Sequence, residues 1–236
     1  AEHPTYERET LETSDGDFID LDLAFPKEDR AGSSKVAILL HGLEGSSQAP
    51  YVQAMASELN RIGWTVVAMN FRGCSGRPNL KERSYHSGDT ADLQEVVKWC
   101  ETRFAGCKIA LIGFSLGGNV TLKYLGEGVR RKSVVAGVAV SVPCDLTGSA
   151  KMLARSMNRI YMRRFIKDLA RKLILKNTEL GTNFDIPGFK RMKTFAEFDE
   201  VFTAPVHGFE SAQVYWEKSS SLQFLQNIEV PTLLIN

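Results

Sequence analysis

The sequence predicts an α/β protein: a mostly parallel, doubly wound sheet, opened by an antiparallel hairpin and interrupted late in the chain by a helical insertion. Three observations carry this. Short runs that are almost wholly apolar (residues 36–40, 65–69, 109–112, 134–142 and 232–235) lack the polar alternation of a half-solvated strand, so they read as strands covered on both faces. Segments of helical spacing separate them, and strand–helix–strand repetition gives right-handed crossovers whose functional loops gather at the carboxyl ends of the strands. From about Asp145 that rhythm breaks into a long basic and aromatic stretch.

Residues 5–13 and 18–25 are extended runs joined by Ser14-Asp15-Gly16-Asp17, which is turn chemistry and predicts the hairpin. Ala31-Gly32-Ser33-Ser34 separates it from the first apolar run. Val52, Met55, Ala56 and Leu59 place a helix over 51–61, and Leu93, Val96, Val97, Cys100 and Phe104 place another over 90–104, with Ser87 or Asp89 as its N-cap. A third continues through 120–125. Residues 151–176 hold nine Lys or Arg against one acid, Asp168, interleaved with Leu153, Ile160, Phe165, Ile166, Leu169 and Leu173. That pattern predicts one or two amphipathic helices forming a lid. The expected organisation is a core over 1–144, a helical lid over 145–218 and a return to the core over 219–236. Residues 231–236 read as a buried parallel strand that a helix should cover, so further chain is expected after Asn236.

At 236 residues the chain can bury roughly three-quarters of its unfolded surface, so core size is not limiting. Apolar residues make up 43% and charged residues 24%, the mixture of a globular protein. A net charge of +1 and the lack of a reading motif argue against nucleic acid as a partner. The charged start and the absence of a long apolar run predict a soluble, cytoplasmic protein. Cys74, Cys100, Cys107 and Cys144 form no CxxC pair and read as free thiols filling the core. Asp89 and Asp92 in the first turn of their helix are explained by capping and dipole complementarity, so no metal site is expected.

The chemistry concentrates after the strand at 109–112, where Gly113-Phe114-Ser115-Leu116-Gly117 leads into a helix. GxSxG alone is a weak signal, but here it falls between strand and helix. A serine on so sharp a turn is held out of the sheet, with glycines two residues either side because strand and helix approach too closely for a Cβ. The helix N-terminus then faces whatever Ser115 attacks. An oxyanion needs two preorganised N–H donors: Leu116, after the nucleophile, and Leu43, in the loop His41-Gly42-Leu43-Glu44-Gly45-Ser46. His41 reads as a loop histidine with local hydrogen bonds. Arg72 could clamp an anion, but an internally paired structural arginine is the stronger reading.

These residues, together with Asn70-Phe71-Arg72-Gly73-Cys74-Ser75-Gly76, Tyr85-His86-Ser87-Gly88-Asp89-Thr90, Gly118-Asn119, Glu197-Phe198-Asp199, Thr203-Ala204 and Gly208-Phe209, resemble the YheT-like branch of the α/β-hydrolase superfamily. That branch holds bacterial esterase-type proteins and animal lipase and phospholipase relatives, and the likeness covers nearly the whole chain. It implies the α/β-hydrolase fold and a serine hydrolase, with Ser115 as nucleophile and Leu43 and Leu116 as oxyanion donors. It also implies an acid after the strand ending at Asn236 and a later histidine. The internal substitutes are Asp145 as acid and His207 or His86 as base. The expected activity is hydrolysis of short-chain or lipid-like carboxylic esters through an acyl-enzyme, with no cofactor. An acyltransferase or lyase on the same fold, or a non-catalytic binding protein, are the alternatives. The basic lid offers a peripheral contact with anionic lipid surfaces, against the simpler reading of a solvated charged face. Oligomeric state is not legible.

Overall fold

The computed structural model describes residues 4–27, 34–154 and 159–236. The Ala31-Gly32-Ser33 stretch lies outside the described residues, as do Arg155 and the side chains of Arg159, Ile160 and Arg163 in the basic segment. β1 (Glu7–Glu12) and β2 (Phe18–Ala24) form the expected antiparallel hairpin. Then follow β3 (Lys35–Leu40), α1 (Pro50–Arg61), β4 (Thr65–Met69), α2 (Thr90–Arg103), β5 (Lys108–Phe114), α3 (Leu116–Gly126) and β6 (Val134–Val140). Between β6 and the last strand, β7 (Thr232–Ile235), the chain runs through α4 (Leu146–Leu153), α5 (Arg159–Leu180), α6 (Ile186–Arg191), α7 (Phe195–Phe198), a π-turn at Asp199–Thr203, α8 (Ala204–Val206) and α9 (Ala212–Ser219), then a 3₁₀ segment.

The sheet order is β1-β2-β4-β3-β5-β6-β7, with β2 antiparallel to β4 and every later neighbour parallel. The central strands carry no polar alternation because both faces are covered. Along β3, Val36, Ile38 and Leu40 join the core under α2 and α3, while Ala37 and Leu39 meet Val52 and Ala56 of α1. On α5, Ile166, Ala170 and Leu173 recur at helical spacing and pack on Phe189, Phe198 and Phe202. Among the described residues no helix is long and apolar enough to cross a membrane.

β7 pairs with β6 at the end of the sheet order, and among the described residues its Leu233 and Ile235 are 55% and 48% exposed. Two expectations change. The strand read over 134–142 ends at Val140, since Ser141 turns to φ 53°. Asp89 sits at the N-cap of α2 but its side chain makes no capping bond, and Asp92 is taken by a buried arginine instead.

That arginine is Arg72, at the carboxyl end of β4. Its Nε and Nη2 donate to Asp92 Oδ2 and Oδ1 at 2.7 and 2.6 Å, and Nη1 donates to Asp15 Oδ2 and Asp17 Oδ2 at 2.9 and 3.0 Å. One buried guanidinium thus ties the hairpin turn to the start of α2, which is the structural role preferred for it. Cys74, Cys100 and Cys107 are buried free thiols, and Cys144 is a half-buried one.

Candidate active site

Ser115 stands at the junction of β5 and α3 with φ 51° and ψ −115°, a left-handed conformation for a non-glycine residue. Such geometry costs about 1–3 kcal/mol and persists only where the surroundings impose it. Here the surroundings are packed backbone. A Cβ on Gly113 would collide with the Gly117 carbonyl, and one on Gly117 with the Leu40 carbonyl, so α3 can press onto β5 and β3 only with glycine at both positions. The Ser115 amide donates to Val140 O at 2.8 Å, which anchors the bend to β6. Its side chain makes no capping bond to α3 and, half-buried, lines a cavity of about 270 Å³.

Leu43 and Leu116 line the same cavity. Leu116 opens α3, where amides have no intrahelical acceptor. The Leu43 loop is a tight turn closed by Gly45 N–H to Gly42 O at 3.0 Å, and a Cβ on Gly42 would lie 3.3 Å from Ser115 Cβ. Among the described residues neither the Leu43 nor the Leu116 amide has a hydrogen-bond acceptor. The structure therefore brings together the serine and both amides singled out in the sequence.

The internal candidates for acid and base are placed differently. Asp145 follows β6, but its Oδ1 caps α4 by accepting from Gly148 N–H at 3.0 Å, and it does not line the cavity. His207 lies behind the cavity wall with its ring 4.6 Å from that of His86. His86 does line the cavity, with Nδ1 accepting from Gly88 N–H at 3.1 Å. Burial pushes both imidazoles down to about 3, which makes them poor proton acceptors at neutral pH.

The cavity wall is mainly apolar, built from α4, α5, α7 and α9, with Leu153, Phe165, Leu169, Phe198, Phe202 and Trp216 among its residues. Asp199 interrupts it. That carboxyl accepts from Trp216 Nε1 at 2.8 Å and Thr203 Oγ1 at 2.6 Å, and burial raises it to about 6. No role was assigned to Asp199 from sequence; an acid within a phenylalanine-rich stretch was the available signal.

His41 supports the loop. Its Nε2 accepts from Phe71 N–H at 3.1 Å, so Nδ1 carries the proton and donates to Gly42 O at 2.7 Å. Burial, the largest influence, lowers this imidazole to about 4. The unfolded chain, near 6.5, therefore takes up a proton before the folded one does. Stability from neutral His41 is fully present above pH 6.5 and is lost as pH falls towards 4, at about 1.4 kcal/mol per pH unit. Urea titrations should show this residue contributing a loss of roughly 2 kcal/mol between pH 7 and pH 5. An identical pH slope in His41→Asn would contradict it.

Residues 36–236 match the family model for the alpha/beta hydrolase fold. The chain is 35% identical over 231 residues to YheT of Escherichia coli (strain K12), covering 96% of this chain and 67% of YheT. It is 28% identical over 222 residues to a monoacylglycerol lipase of Saccharomyces cerevisiae, covering 89% of this chain and 49% of that protein. The chain thus spans half to two-thirds of the length of these relatives. An esterase structure from Pyrococcus furiosus superposes with a TM-score of 0.54 over 99% of this chain and 82% of its own, at 20% identity, and so bears on the fold alone. Sheet order, serine bend and these matches agree: the chain belongs to the α/β-hydrolase superfamily, within its YheT-like branch.

Proposed function

We propose that Ser115 is the nucleophile of a serine esterase whose substrates are short-chain or lipid-like carboxylic esters. The observation that supports this best is the strained bend that holds Ser115 at a cavity beside two unpaired amides. As a histidine takes its proton, Ser115 Oγ would attack the ester carbonyl, the developing oxyanion would rest on the Leu43 and Leu116 N–H groups, the alcohol would leave carrying that proton, and water would then release the acyl group as the acid and restore the serine hydroxyl. Esterase and lipase names among the relatives point the same way. The helices of residues 145–218 would act as a lid, their apolar inner faces holding the acyl chain. A cavity of about 270 Å³ is at the small end of ligand sites, which favours one modest chain. Basic residues on the outer side of α5, such as Lys167, would meet anionic lipid surfaces.

Ser115 still requires an acid–histidine pair, and neither Asp145 nor His207 lines the cavity. We assign that pair to the part of the relatives' length that this chain does not match. Treating the protein with a fluorophosphonate and mapping the adduct by peptide mass tests the reading. The expected adduct is on Ser115, and hydrolysis of an ester without any adduct there would overturn the assignment.

A further inference from the structure

Most basic residues on the described part of α5 face solvent, yet two of them one turn apart face inward. Lys172 Nζ lies 2.9 Å from Glu44 Oε1 and 2.9 Å from Cys74 Sγ, above the Tyr85 ring. Lys176 Nζ donates to the carbonyls of Lys81, Glu82 and Arg83 at 2.7, 2.7 and 3.1 Å. Withdrawing ammonium groups from water is costly unless they are paired, and both are paired with loops of the sheet's carboxyl edge. Burial works to lower the Lys172 ammonium, but Cys74 and Glu44 hold it above its ordinary value, so it stays charged.

Glu44 is the residue that makes this contact consequential. It occupies the third position of the turn closed by Gly45 N–H to Gly42 O, with φ 54°. For a non-glycine residue that conformation costs of the order of 1 kcal/mol or more. Tyr85 grips it from two sides, its hydroxyl accepting from Glu44 N–H at 2.9 Å and donating to Glu44 Oε1 at 2.7 Å. Lys172 takes the same Oε1. Relaxing Glu44 to negative φ would flip the turn's central peptide, Leu43 C=O to Glu44 N–H, break the Tyr85 contact to that N–H, and shift the Leu43 amide that precedes it.

We propose that Lys172 is a positioning residue: by holding Glu44 in its left-handed conformation it fixes the turn that presents the Leu43 amide to the carbonyl under attack. Docking of α5 and completion of the oxyanion site are then one event. This rests on the assignment of Ser115 as nucleophile.

Steady-state kinetics on a p-nitrophenyl ester test it. Lys172→Met should lower kcat about 10- to 100-fold, less than the 10²–10³ of deleting a donor outright, with KM changed less than about 3-fold. Lys172→Arg, which restores a cation beside Glu44, should recover most of the loss, whereas Glu179→Gln, exposed on the same helix, should leave kcat unchanged. Glu44→Gln should reproduce the loss, and combining it with Lys172→Met should add little, since both changes break one contact. Should Lys172→Met not fold, Glu44→Gln carries the same expectation. A Lys172→Met protein with kcat intact and KM raised would overturn the inference, showing that the lysine only shapes the cavity. A wild-type protein that hydrolyses the ester without a Ser115 adduct would instead overturn the nucleophile assignment, and this inference with it.

Discussion

Ser115→Ala should reduce ester turnover by about 10⁴- to 10⁶-fold, the loss typical of removing a nucleophile from an acyl-transfer site. The reason lies in the bend rather than in the hydroxyl alone. Packing of α3 on β5 and β3 has already met the cost of holding residue 115 at positive φ, and alanine inherits that cost with no way to use it. Both amides and the cavity remain, so substrate should still bind. Thermal unfolding should shift little, because the half-buried side chain makes no capping bond that alanine would lose, a change within about 0.5 kcal/mol. Turnover of a p-nitrophenyl ester and a melting curve on the same preparation check both halves. Retained turnover in the alanine protein would mean that the chemistry occurs elsewhere.

Arg72→Met should destabilise the fold by about 3–5 kcal/mol, the cost of stranding buried charge. Asp17 and Asp92 have side chains 0% and 2% exposed, and Arg72 supplies the cation for both. Methionine fills much of the volume but pairs with neither. Protonation removes unpaired carboxylate charge, so the deficit should narrow as pH falls towards 5. Urea unfolding of wild type and variant at pH 7 and pH 5 measures this. A deficit below 1 kcal/mol at pH 7, or one that does not vary with pH, would show that neighbouring groups absorb the charge.

The sheet was legible in sequence because each central strand is a bare apolar run, and only double coverage tolerates such runs. Ser115 was legible because its bend demands glycine at two fixed offsets. What escaped depends on partners distant in sequence. Asp92 resembles ordinary first-turn chemistry on α2, and only the placement of Arg72 at the end of β4 shows where its carboxylate goes. Lys172 and Lys176 belong to a run of basic residues that reads as solvated, and nothing in that run distinguishes the two that turn inward. Asp199 stood inside a recognised pattern, yet its place as a carboxyl in the mainly apolar wall required the fold of the segment around Trp216.

β3 and β5 are hydrogen-bonded neighbours, with Leu40 opposite Gly113 in register. The strand ends that lead into the Leu43 loop and the Ser115 bend are therefore set side by side by the sheet, while the cavity's far wall comes from one continuous segment between β6 and β7. Under the proposed function the two halves are separable in heredity: deletions, duplications or exchange confined to that segment would retune what is accepted without disturbing how it is attacked, provided the replacement still offers a cation to Glu44.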